Sequence, residues 1–172
     1  MPSITYVHQL YLNQPLTPVE QLEKVIEKVG YWNPKLNAMV VDAFDNARLM
    51  AQSLGQPTEA QLESKPLLGV PCSIKECFAW EGMPQTSGLL SRKGITAQSN
   101  APVVQRVLDA GAIPIGSTNL SELCMWMESY NKVYGRSNNP YDLGRTVGGS
   151  SGGEAALVGS GCVPFGLGSD IG

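Results

Sequence analysis

Six consecutive residues, Gly148-Gly149-Ser150-Ser151-Gly152-Gly153, restrict what this chain can fold into more than any other segment. Two serines held between glycine pairs reach backbone conformations that side-chain-bearing neighbours forbid. A flexible linker has such a composition, yet linkers do not normally run straight into an apolar helix-like stretch such as residues 154–159. A phosphate cradle at a helix N-terminus needs a Gly-Lys-Ser/Thr ending, which is missing here. A strained turn presenting a catalytic serine is the third reading, since G-x-S-x-G is satisfied twice, around Ser150 and around Ser151.

A nucleophile elbow also needs a strand leading into the turn and a histidine later in the chain. Residues 141–145 read as a loop, and the single histidine, His8, comes far earlier. Ser129 to Lys132 matches Ser-x-x-Lys, with residues 137–139 as a loose Ser-x-Asn partner, but no Lys-Thr-Gly follows and so short a match arises by chance. A serine hydrolase without a usable histidine needs another base, and lysine serves where burial favours its neutral amine. Lys75 is placed for that role. It follows the apolar run 67–74 and precedes Cys77, Phe78 and Trp80, whereas Lys24, Lys28 and Lys65 fall on polar faces. An ion pair with a carboxylate at a strand edge is the competing reading of Lys75.

At 172 residues, 42% hydrophobic and 16% charged, the chain has enough apolar material for one core, whole or as part of a larger one. A net charge of -3 with no basic stripe argues against nucleic acid as a partner. The cysteines, Cys72, Cys77, Cys124 and Cys162, form no C-x-x-C pair and lie far from His8, which argues against a zinc site or any other metal. Residues 1–13 lack the basic start and unbroken apolar stretch of a cleavable signal. A reducing, intracellular compartment is expected, cytoplasmic or membrane-associated through other segments, with the cysteines as small buried hydrophobes. No window reaches the roughly 18 consecutive apolar residues of a membrane span.

Thr17-Pro18-Val19-Glu20 predicts a helix start with a capping box, and Val19, Leu22, Val25, Ile26 and Val29 give it an apolar stripe. Gly30 and Pro34 are expected to end it. A second helix is expected over about 42–54, then a polar, solvated connection over 56–65. Residues 67–74 read as a buried strand ending at Lys75, with Pro71 limiting its pairing. A helix capped by Asn100 through Ala110 and a strand over 112–115 complete a crossover unit. Asn119 with Glu122 predicts another capped helix, residues 154–159 a buried helix, and 163–168 a buried strand. The order is α/β.

The segments 69–76 (Gly-Val-Pro-Cys-Ser-Ile-Lys-Glu), 111–119 (Gly-Ala-Ile-Pro-Ile-Gly-Ser-Thr-Asn), 135–140 (Gly-Arg-Ser-Asn-Asn-Pro), 148–154 and 168–172 (Gly-Ser-Asp-Ile-Gly) together resemble the amidase signature family. The resemblance covers nearly the whole chain. Within the family, residues 119–126 and 134–142 are most similar to the fatty-acid amide hydrolases, the second type in particular. The resemblance implies an α/β fold with a mixed central sheet covered by helices on both faces. This chain resembles its N-terminal portion, part of a single domain, with a helical region over about 1–60 and the core motifs over about 66–172.

The resemblance also implies hydrolysis of carboxylic amides, fatty-acid amides among them, by a Ser-Ser-Lys triad that uses no cofactor. Lys75 matches the base. Ser150 matches the middle serine, which follows a cis peptide bond and passes the proton, and Ser151 would help hold that loop. In the family the last motif runs on to a further glycine and the nucleophilic serine, so the nucleophile is expected beyond Gly172 and the chain alone is expected to be inactive. Ile171 and Gly172 match the first half of the oxyanion hole. Cys124 aligns with a position lining the substrate site, its other reading being a buried helix residue. The expected partner is a small-molecule amide, and the resemblance is compatible with a homodimer and with membrane association of a full-length protein. A glutamine amidotransferase subunit of the same family, and a non-catalytic fragment that keeps the scaffold, are the alternatives.

Overall fold

In a computed structural model of the chain, residues 3–13 and 16–171 are described. Helix α1 (Ile4–Asn13) is followed by α2 (Pro18–Leu36), which starts as its capping box requires. Thr17 Oγ1 accepts from the Glu20 N–H, and Glu20 Oε2 accepts from the Thr17 N–H at 2.8 Å. The helix does not stop at Gly30 or Pro34. Leu36, fully buried in the main core, draws the helix through Pro34, and termination falls to Asn37, left-handed at φ 45°, whose N–H donates to Asn33 O.

The N-terminal region is not wholly helical, because β1 (Met39–Asp42) joins the sheet before α3 (Phe44–Leu54) begins. The stretch expected to be a solvated connection holds α4 (Glu59–Ser64), capped by Thr58 and Gln61, with Leu62 buried against Val7 and Tyr11 of α1. Strand β2 (Pro71–Lys75) is buried along its whole length, with Pro71 as its first residue, where a missing N–H costs least. After β2 come α5 (Pro102–Asp109) and β3 (Ile113–Thr118), then the short antiparallel pair β4 (Tyr130–Asn131) and β5 (Gly135–Arg136), α6 (Gly152–Gly159) and β6 (Phe165–Leu167).

Two expected caps are corrected. Asn100 does not cap α5; its Oδ1 accepts from Glu81 N–H at 2.8 Å, and Ala101 precedes a proline at the first helical turn. Asn119 starts no α-helix. Its fully buried amide joins Leu120 N–H, Asn131, Gly135 O and Ser137, and the chain then makes only a single 3-10 turn, Glu122–Cys124.

The four main strands lie in the order β1-β3-β2-β6, with β2 parallel to β3 and β6 and β1 antiparallel to β3. Strand residues alternate between faces. Ser73 meets Glu154 of α6 on one face, and Ile74 packs with Trp80 and Val104 of α5 on the other. Helices thus cover both faces of a mixed sheet. The largest core cluster joins Leu22, Val25 and Leu36 of α2, Ala47 and Ala51 of α3, Ile113 and Ile115 of β3, and Leu157 of α6. Each such Leu or Ile contributes roughly 1.5–3 kcal/mol by burial. This packing fixes the carboxyl ends of β2, β3 and β6 side by side, where open α/β sheets place their ligands.

Candidate active site

Lys75 is the last residue of β2, opposite Thr118 of β3, and its side chain is fully buried. Its Nζ lies 2.6 Å from Ser150 Oγ, 2.9 Å from Ser169 Oγ and 3.4 Å from Ser169 O. These partners are hydroxyl and carbonyl oxygens, unlike the carboxylate of a strand-edge ion pair. Glu154, the buried carboxylate on the same sheet face, is engaged elsewhere: it accepts from Ser73 Oγ at 2.5 Å and Thr118 Oγ1 at 2.7 Å. Burial pushes Glu154 up to about 7, against the opposing pull of those two hydroxyls and the charge of Lys75.

The glycine-serine segment owes its shape to close approach. A Cβ on Gly149 would come within 2.7 Å of Ser121 Oγ and Trp126 O, and one on Gly153 within 2.5 Å of Asn119 N. The Gly149–Ser150 peptide is cis. Ser129 Oγ donates to Gly148 O at 3.0 Å and accepts from Gly152 N–H at 2.7 Å, closing the turn from below. Ser151 Oγ donates to Ser169 O and accepts from Ser169 N–H, at 3.1 and 3.2 Å, tying the turn to the segment after β6.

Next to Lys75, Glu76 is also fully buried. It accepts from Thr86 N–H, Thr86 Oγ1, Ser87 N–H and Tyr134 OH, all within 2.9 Å, and so fixes the 86–88 turn against the β4–β5 pair. Burial first, and Glu76 as a smaller contribution, push Tyr134 up to about 12.

Lys75, Ser150 and Ser151 are brought together through Ser169, and Cys124 is half-buried, its thiol drawn down from its ordinary value chiefly by hydrogen bonding. Cys124 is in a 3-10 turn, not the α-helix expected there. Ile171 has a side chain that is 63% exposed, and Gly172 lies outside the described residues. Ser169 was missed by sequence reasoning: it sits inside the 168–172 motif, but only the return of the chain after β6 puts its hydroxyl on Lys75. Cys77 was missed as a neighbour of the site, its Sγ 3.9 Å from Ser169 Oγ. Cys72 and Cys162 are buried as expected, whereas Cys77 and Cys124 are not. Among the described residues, no group of three or more His, Cys, Asp or Glu side chains is arranged to hold a metal, and no helix is long and apolar enough to cross a membrane. A groove of about 1050 Å³ between α1, α2 and residues 159–162 contains none of the residues around Lys75.

The mixed sheet thus gathers a buried lysine and a seryl hydroxyl on a glycine-rich turn at the carboxyl ends of its parallel strands. The family model for amidases matches residues 20–172, and the chain belongs to that family, the amidase signature enzymes. It is similar to fatty-acid amide hydrolase 2-A of Danio rerio, 48% identical over 164 residues that make up 91% of this chain and 31% of that protein. The A subunit of glutamyl-tRNA(Gln) amidotransferase from a Cyanothece species is 34% identical over 172 residues, 100% of this chain and 36% of that protein. Among solved structures, 6-aminohexanoate cyclic dimer hydrolase with its substrate superposes with a TM-score of 0.84 at 32% identity, covering 95% of this chain and 33% of that one. The chain spans about 31% of the length of the curated hydrolase it matches.

Proposed function

We propose that this chain carries the proton-transfer half of an amide-hydrolysing site acting on fatty-acid amides. The observation that carries the reading is the 2.6 Å contact between the fully buried Lys75 Nζ and Ser150 Oγ. The Lys75 amine takes the Ser150 proton while Ser150 takes that of the attacking serine, which in the family follows the glycine after the position of Gly172. The new bond joins the serine oxygen to the carbonyl carbon, and backbone N–H groups around residues 171–172 receive the oxyanion. Ser150 and Lys75 return the proton to the departing amine, and water then releases the acid by the same relay in reverse. Ser169 and Ser151 hold the two partners in place.

A long acyl chain suits the surroundings. The loop that carries the half-exposed Leu123 and the exposed Met125, Trp126 and Met127 borders Gly149 and Ser150, with Ser121 N–H donating to Ser150 O. Similarity to the fish fatty-acid amide hydrolase supports the same substrate class. The second reading, glutamine hydrolysis for an amidotransferase, is favoured by the likeness to the Cyanothece protein over the whole chain. The full-length protein should release ammonia from a long-chain primary amide and not from glutamine; the reverse preference refutes the substrate assignment. Lys75→Ala should lower that turnover by about 10²–10⁴-fold, the range for a general acid–base group. Wild-type turnover in the variant refutes the role of Lys75.

A further inference from the structure

One carboxyl group touches all three parallel strands that end at the candidate active site. Glu154 lies in the first turn of α6, four residues after Ser150, and its buried side chain reaches the sheet. Its Oε2 accepts from Ser73 Oγ of β2 at 2.5 Å, and its Oε1 from Thr118 Oγ1 of β3 at 2.7 Å. On β6 it lies against Gly166, the residue paired with Ser73, where a Cβ would overlap Glu154 Oε2. Each contact is a short step along the chain from a member of the site. Ser73 is two residues before Lys75 and on the same face of β2, Thr118 is opposite Lys75, and Gly166 is three residues before Ser169.

Filling space does not account for this arrangement. Burying a carboxyl group is costly unless its oxygens are hydrogen-bonded, and an apolar side chain of similar size packs a sheet face as well. What the carboxyl adds is direction. Two short bonds from different strands fix where α6 begins, and Ser150 is the residue before the N-cap of that helix. Lys75 meets Ser150 from the strand side, with 2.6 Å between Nζ and Oγ. A shift of α6 across the sheet would open that contact. Resting on the relay of Lys75 and Ser150 set out above, we propose that Glu154 is a positioning residue for the hydrolysis: it clamps α6 to β2, β3 and β6 and so sets the separation of Lys75 Nζ and Ser150 Oγ. Its partners are Ser73 and Thr118, so it acts on the reaction only through the relay.

Variants of the full-length protein test it, each melted to confirm folding and then assayed for turnover of a long-chain primary amide and for labelling by a serine-reactive fluorophosphonate. Glu154→Ala should lower kcat by about 10²-fold, the effect of a misplacement of roughly 1 Å, and leave KM within about twofold, because the clamp holds the relay and not the substrate. Ser73→Ala deletes one of the two bonds and little volume, and should lower kcat by about tenfold. Glu154→Gln, which can still bond both hydroxyls, should recover most of the rate. In a Ser150→Ala background, adding Ser73→Ala should not slow labelling further, since no relay is left to position. The proposal is overturned by a wild-type kcat in folded Glu154→Ala, by a rise in KM without a fall in kcat, by Glu154→Gln as slow as Glu154→Ala, or by an equal further fall in the Ser150→Ala background. If Glu154→Ala does not fold, Ser73→Ala decides. Wild-type labelling of Lys75→Ala would sink the relay itself; slow labelling there beside wild-type rates in the Glu154 and Ser73 variants would sink the clamp alone.

Discussion

Replacing Glu154 with glutamine should remove a specific pH dependence of stability. Glu154 is fully buried, its ordinary value of 4.5 is raised to about 7 in the folded chain, and burial is the main cause. Folding therefore favours the protonated carboxyl. The stabilisation is fully present below about pH 4.5 and is lost as pH rises through about 7. A gap of about 2.5 pH units at 1.36 kcal/mol per unit corresponds to about 3 kcal/mol between those limits. Glutamine keeps an acceptor oxygen for one of the Ser73 and Thr118 hydroxyls and turns its amide N–H to the oxygen of the other, but cannot ionise. The assay is urea unfolding of both chains at intervals from pH 4.5 to 8, read as the difference in unfolding free energy. Groups that titrate in the other sense, such as Cys124, are common to both chains and cancel. Wild type should lose about 3 kcal/mol relative to Glu154→Gln across this range. Parallel pH profiles would refute the reasoning that desolvation governs Glu154.

Gly153→Ala should destabilise by about 1–3 kcal/mol or abolish folding, because its Cβ would meet Asn119 N at 2.5 Å and Ala38 O at 2.7 Å. An unchanged melting temperature contradicts the close-approach account of the turn. Thr58→Ala removes the hydroxyl that accepts from Gln61 N–H, leaving the residue-58 backbone N–H on Gln61 Oε1, and should cost about 1 kcal/mol in denaturant unfolding; no loss would mean that the hydroxyl cap does not hold that helix. Leu157→Ala should cost about 2–5 kcal/mol as a cavity in the main core, and a smaller value would show that α6 packs more loosely than its full burial indicates.

The parts of the fold written locally were legible. The Thr17 capping box and the single elements of the strand–helix–strand crossover depend on local spacing and formed, while the apolar run into Lys75 became a strand over 71–75 only, with a turn at 66–69 before it. Strand β1 was not legible because it is four residues long and exists through its pairing with β3, about 75 residues away. The α4 helix did carry a signal, Thr58 with Gln61 three residues on, hidden in an otherwise polar stretch. Asn119 misled for a physical reason: an amide able to cap a helix is equally able to satisfy several buried backbone and side-chain groups, and here it does. At the site, Lys75 and Ser150 were visible from motif chemistry, while Ser169 and Cys77 acquire their neighbours only when β6 returns beside β2.

The central claim is that Lys75 and Ser150 act together to activate a serine. Its most direct test is the rate at which a serine-reactive fluorophosphonate labels the full-length protein, because that rate reports activation of the nucleophile whatever the natural amide. The account predicts rapid labelling of wild type and a fall of about 10²-fold or more in both Lys75→Ala and Ser150→Ala. Labelling of either variant at the wild-type rate would contradict it.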